Sequence, residues 1–217
     1  MMLPAVPANS PVSFLDKTNA YFDRPLGKRG RLTALVAALL LIPTFFFPVW
    51  NMTLFSNQFR DGLDLHIYSY ALVGGHTASR DDLREINTLN HYIGMRPLLE
   101  SDFSEFTWLP LMIGIFFILA LRAVVIGKVA SLVDTTVLFM YFSLFSLFSF
   151  YHRMYQYGHQ LDPTAPVKVA PFMPPLLGTQ QLANFQVQCY PGAASYFMVS
   201  FFLLLVAALV ITWVRAR

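Results

Sequence analysis

The sequence predicts an all-α membrane protein in which four transmembrane helices carry a small extracytoplasmic cap made of two long loops. Three observations support this. Of 217 residues, 56% are hydrophobic and only 12% charged, against about a quarter charged in soluble domains. Four stretches, at about 31–50, 106–127, 131–151 and 194–214, reach the roughly 20 apolar residues that a spanning helix needs. The charges also sort by side. Lys17, Arg24, Lys28, Arg29, Arg31, Arg122, Lys128, Arg215 and Arg217 fall at one set of helix ends, while acids such as Asp61, Asp82, Glu100 and Asp162 fall in the two long loops. The positive-inside rule then places both termini in the cytoplasm of a bacterial inner-membrane, multi-pass protein, with loops 51–105 and 152–193 outside.

Residues 1–30 read as a cytoplasmic tail and residues 31–217 as the membrane domain. The tail has no cleavage pattern, so the first span is expected to stay as a signal anchor. Ser10 and Pro11 can start a short helix that rests Val12, Phe14, Leu15 and Tyr21 on the inner surface; a loosely ordered tail is the other reading. The first span holds Pro43, which should kink it, and Trp50 at the outer interface.

The first outside loop is too long for a plain connection and is expected to fold. Leu63, Leu65 and Ile67 alternate with polar residues as in a strand, which Gly74 and Gly75 end. Ser79 is placed to cap an amphipathic helix built on Leu83, Ile86, Leu89 or Asn90, and Ile93. Its other face carries Asn87, His91 and Met95 at four-residue steps.

Spans two and three form a hairpin around 126–130, which puts Arg122 and Asp134 at similar depth as a structural ion pair. Ser143, Ser146 and Ser149 give the third span a small-residue stripe for close helix packing. In the second outside loop, Pro163, Pro166, Pro171, Pro174, Pro175 and Pro191 favour stiff extended chain without regular structure. The fourth span closes the bundle, with Trp213 and Arg215 at its inner end.

Every histidine, with Met52, Met95, Met154, Met173 and Cys189, falls on one side of the membrane in this topology. Imidazole and soft sulfur suit copper, above all the reduced ion. His91 and Met95 are the first candidate ligands, followed by His152 and His159, seven residues apart on one helix face if the third span continues, although Gly158 can end that helix first. The single Cys189 excludes an intrachain disulfide. No histidine lies at mid-membrane, so no haem is expected within the spans. No nucleophile elbow or phosphate loop points to an enzyme, and the basic residues do not cluster as nucleic-acid binding requires.

The strings INTLNHYIGM, YGHQLDPTAPVKV and PPLLG, with FPVW and FRDGL, resemble an uncharacterised family of small four-span bacterial membrane proteins associated with gene neighbourhoods for nitrous oxide reductase maturation. The resemblance implies an accessory role near a copper or respiratory enzyme, and it marks Asn90, His91, Met95, Tyr157, His159, Asp162 and Pro163. The functional expectation is an accessory membrane protein whose cap docks, or supplies copper to, a respiratory metalloenzyme or its maturation machinery. Its partners would be the lipid bilayer and another membrane or extracytoplasmic protein. A purely structural subunit remains open, as does a lipid or small-molecule binder with a pocket lined by Tyr68, Tyr70, Tyr151 and Tyr155.

Overall fold

The structure is a computed structural model and describes residues 14–77, 80–182 and 185–214. Among these, three helices are long and apolar enough to cross a membrane: α4 (Glu105–Ile126), α5 (Val129–His159) and α6 (Ala193–Val214). Earlier in the chain come α1 (Phe14–Phe22) and α2 (Lys28–Leu39), and α3 (Asp82–Tyr92) lies between the strands of the first loop and α4. The chain is therefore consistent with a multi-pass membrane protein, but it is not the all-α, four-span protein that its composition suggests.

The first expected span is where the count changes. α2 has 12 residues and ends at Leu39, and a 3-10 turn follows at Pro43–Phe45. Pro43 has no N–H to donate, and its ring collides with the carbonyl four residues back, which belongs to Leu39. At 1.5 Å per residue, α2 is roughly 18 Å long, too short for a hydrocarbon core of about 30 Å. It still packs in the helical layer against α4 and α6. Ala34, Ala37, Ala38, Ala120, Ala123 and Ala208 are fully buried there and let the backbones approach closely. Phe116, Phe139 and Phe201 fill the wider part, with ring centroids 4.8 and 5.1 Å apart.

At one end of the helices, Gly127 (φ +66°) turns α4 into α5, as the expected hairpin requires. The segment before α2 is stitched to that turn. Leu26 donates to the Gly127 carbonyl at 2.6 Å, Val129 to that of Arg24 at 3.0 Å, and Lys128 pairs with Asp23 at 2.9 Å.

At the other end both loops form β-structure, which is the second departure from the expected fold. Strands β1 (Trp50–Phe55), β2 (Leu63–Ile67), β3 (Leu72–Gly74), β6 (Gly178–Leu182) and β7 (Phe185–Pro191) make one antiparallel sheet in the order β3-β2-β1-β7-β6. A two-stranded ribbon joins β4 (His76–Thr77) to β5 (Arg80–Asp81). The second loop was expected to lack regular structure because of its prolines, yet between Pro175 and Pro191 it is proline-free, and GTQQL and FQVQCYP pair there. The alternation around Leu63 does form β2.

Met52, Leu54, Leu63, Leu65, Val187 and Cys189 point to one side of the sheet, where they meet Ile86 of α3 and Met154 and Tyr157 of α5 in a second core. α3 therefore covers one face of the sheet. Ser79, the expected cap, lies outside the described residues; the Asp81 carboxylate accepts from Leu83 and Arg84 at 3.1 and 3.3 Å.

Candidate functional site

α3 stops at Tyr92, and Gly94 (φ +78°) turns the chain so that the Met95 N–H donates to the Asn90 carbonyl at 2.8 Å. The helical spacing of His91 and Met95 is broken by this turn. His91 is exposed, whereas Met95 packs against the second core.

α5 continues through Gly158 to His159, so Gly158 does not end the helix, and His152 and His159 do share a helix. Each is engaged locally. The Gln156 amide donates to His152 Nε2 at 3.0 Å. His159 Nδ1 donates to the Tyr155 carbonyl at 3.0 Å, and its ring stacks on Tyr155 at 3.7 Å. Elsewhere His66 Nδ1 meets Asn51 Oδ1 at 2.8 Å on the open face of the sheet. Among the described residues no group of three or more histidine, cysteine, aspartate or glutamate side chains could hold a metal ion.

The chain after His159 does fold onto the end of α3. Asp162 donates to the Gly94 carbonyl at 2.8 Å and Val167 to that of Tyr92 at 3.0 Å. The hydroxyl and N–H of Thr164 bind the Asp162 carboxylate at 2.6 and 2.7 Å. Those bonds hold its pKa below the usual range, with His91 a smaller cause. Arg122 and Asp134 line one cleft between α4 and α5, without an ion pair to each other among the described residues.

What the fold does bring together is methionine side chains. A cavity of about 50 Å³ between the sheet and α3 is lined by Met52, Met95 and Met154, with Asn90, Tyr157 and aliphatic side chains. Each methionine comes from a different element. Met52 is on the inward face of β1, Met95 sits just past the Gly94 turn, and Met154 is on α5, 5% exposed. Asn90 is 6% exposed, and its carboxamide makes no hydrogen bond among the described residues. A second cavity of about 80 Å³ shares Met52 and Met154. It also touches Tyr68, but the other tyrosines of the expected small-molecule pocket, Tyr70, Tyr151 and Tyr155, line neither cavity.

Cys189 lies opposite Met52 in the β1–β7 register and is 1% exposed. Burial pushes its thiol up to about 12, so it is a neutral thiol at physiological pH. Three thioethers and a carboxamide are uncharged donors, and thioether sulfur selects soft ions such as Cu(I) over Zn(II) or Mg(II). Met52 and Met154 were not among the foremost ligands in the sequence. The signals for them were Trp50, Met52 and Leu54 alternating along one strand face, and Met154 and Tyr157 three apart on α5.

No protein-family model matches the chain, and no curated protein or solved structure matches it either.

Proposed function

We propose that this chain is a membrane-embedded accessory protein whose sheet domain holds Cu(I) for an extracytoplasmic metalloenzyme or its maturation machinery. The observation that supports this is the convergence of Met52, Met95 and Met154, with the unbonded Asn90 carboxamide, on one small apolar cavity. Neutral thioethers stabilise the singly charged ion, the carboxamide oxygen supplies a harder contact, and the aliphatic wall keeps water and oxidants away. The outer face of the sheet, with Thr53, His66, Gln188 and Tyr190, is the surface on which a partner docks. Arg24, Lys28, Arg29, Arg31 and Lys128 gather at the opposite end of the helices, which supports a cytoplasmic location for that end.

The test is titration of the detergent-purified protein with Cu(I) against a chromophoric competing chelator. The wild type is expected to take up one ion, and a variant with Met52, Met95 and Met154 all changed to Leu is expected to lose it while keeping its circular dichroism. Methionine and leucine have similar volumes, so the packing survives the change. No uptake by the wild type, or undiminished uptake by the triple variant, refutes the reading.

A further inference from the structure

The cleft between α4 and α5 carries a separate inference. It has a volume of about 380 Å³ and is lined by Arg122, Ser131, Asp134 and Thr135 among aliphatic side chains. The Thr135 hydroxyl is used within the helix, donating to the Ser131 carbonyl at 2.8 Å. Arg122 and Asp134 are both exposed and bond to no side chain among the described residues.

Their position makes this unusual. Arg122 is four residues before the end of α4 at Ile126, and Asp134 five residues after the start of α5 at Val129. At 1.5 Å per residue both lie roughly 6–8 Å inside the helix ends. The polar zone of a bilayer is about 5–8 Å deep on each side, from a total of about 40–45 Å around a 30 Å core. With the helix ends set at the outer edge of that zone, the two side chains sit where phospholipid glycerol and phosphate groups give way to acyl chains. Opposite charges at this depth ordinarily pair with each other to offset the cost of leaving water. These two face one open cleft instead, and so present one cationic and one anionic group to whatever occupies it.

We propose that this cleft binds the headgroup of a zwitterionic phospholipid with a primary ammonium, of the phosphatidylethanolamine type. The Arg122 guanidinium takes the phosphate, for which its fork of donors is suited. The Asp134 carboxylate, with the Ser131 hydroxyl, takes the ammonium. A quaternary ammonium has no N–H to give the carboxylate, and a glycerol headgroup has no cation to offset the Asp134 charge once its phosphate is on Arg122, so both choline and glycerol headgroups fit less well.

The experiment is native mass spectrometry of the full chain released from nanodiscs that contain equal amounts of phosphatidylethanolamine, phosphatidylcholine and phosphatidylglycerol. Wild type is expected to retain phosphatidylethanolamine roughly tenfold over the other two, the scale of one charge-assisted hydrogen bond. Arg122→Gln and Asp134→Asn should each abolish the preference, and Arg122→Lys should keep part of it. The unfolding temperature is read on the same samples, so that loss of fold is told apart from loss of selectivity. Equal retention of the three lipids by wild type, or an unchanged preference in folded Asp134→Asn protein, overturns the proposal.

Discussion

Arg153 of α5 lies 3.1 Å from the Glu105 carboxylate at the first turn of α4, and the Ser149 hydroxyl donates to the same carboxylate at 2.7 Å. The group sits where the helical layer meets the sheet domain. Arg153 also covers the Phe103 ring at 5.4 Å. Side-chain exposures of 24% and 18% make it a half-buried pair, stronger than a surface bridge and weaker than a dry one. Glu105→Gln is expected to lower the unfolding free energy in detergent by about 1–3 kcal/mol. A double-mutant cycle with Arg153→Met, followed by denaturation, should return a coupling of the same sign.

Gly158 is required for a close approach. A Cβ at this position would collide with the Phe172 carbonyl, whose own N–H donates to the Gly158 carbonyl at 3.1 Å. Gly158→Ala should destabilise the protein by about 1–3 kcal/mol through overpacking, although alanine is the better helix former. A rise in melting temperature would show that the proline-rich segment can move aside.

Cys189 predicts an alkaline limit. Its thiol ordinarily ionises near 9.0 and burial raises it to about 12, so the neutral form is favoured by the fold. The resulting stability is fully present below pH 9 and is lost as pH rises toward 12, because the unfolded chain then releases a proton that the folded chain keeps. Denaturation between pH 8 and 10 should show a decline that is smaller in Cys189→Ala, where only the raised Tyr157 phenol remains, and a maleimide should label native protein far more slowly than unfolded protein.

Asp81 caps α3 through two backbone bonds. Asp81→Ala should cost about 1 kcal/mol, with amide exchange accelerating first at Leu83 and Arg84. Asp81→Asn should recover most of the loss.

The periodic parts of this fold could be read in the sequence, and the paired parts could not. α4, α5 and α6 stay apolar over many turns, α3 repeats apolar residues over about three, and β2 alternates over five residues. β1, in contrast, reads as the polar-flanked end of a span, because WNMTLF is apolar on one face only and one of its two partners, β7, lies far along the chain. Composition counted residues 31–50 as a span since hydropathy does not register that one proline removes a hydrogen bond. For the candidate site, a list of histidines and methionines could not show which of them the fold draws to one cavity. His91 and Met95 have helical spacing in sequence, yet Gly94 separates them in space, while Met52 and Met154 meet across more than a hundred residues.

β1 has a further consequence. It sits in the middle of the sheet and pairs residue 50 with residue 191, and the bonds from Gly192 to Val49 and from Ala194 to Pro48 extend that closure to the first residues of α6. During synthesis, β1, β2 and β3 emerge long before β7. The central strand must then hold an open edge until the last fifth of the chain arrives. Closing the sheet and seating the last helix are therefore one event, and a ribosome-bound chain truncated before β7 leaves the sheet half built.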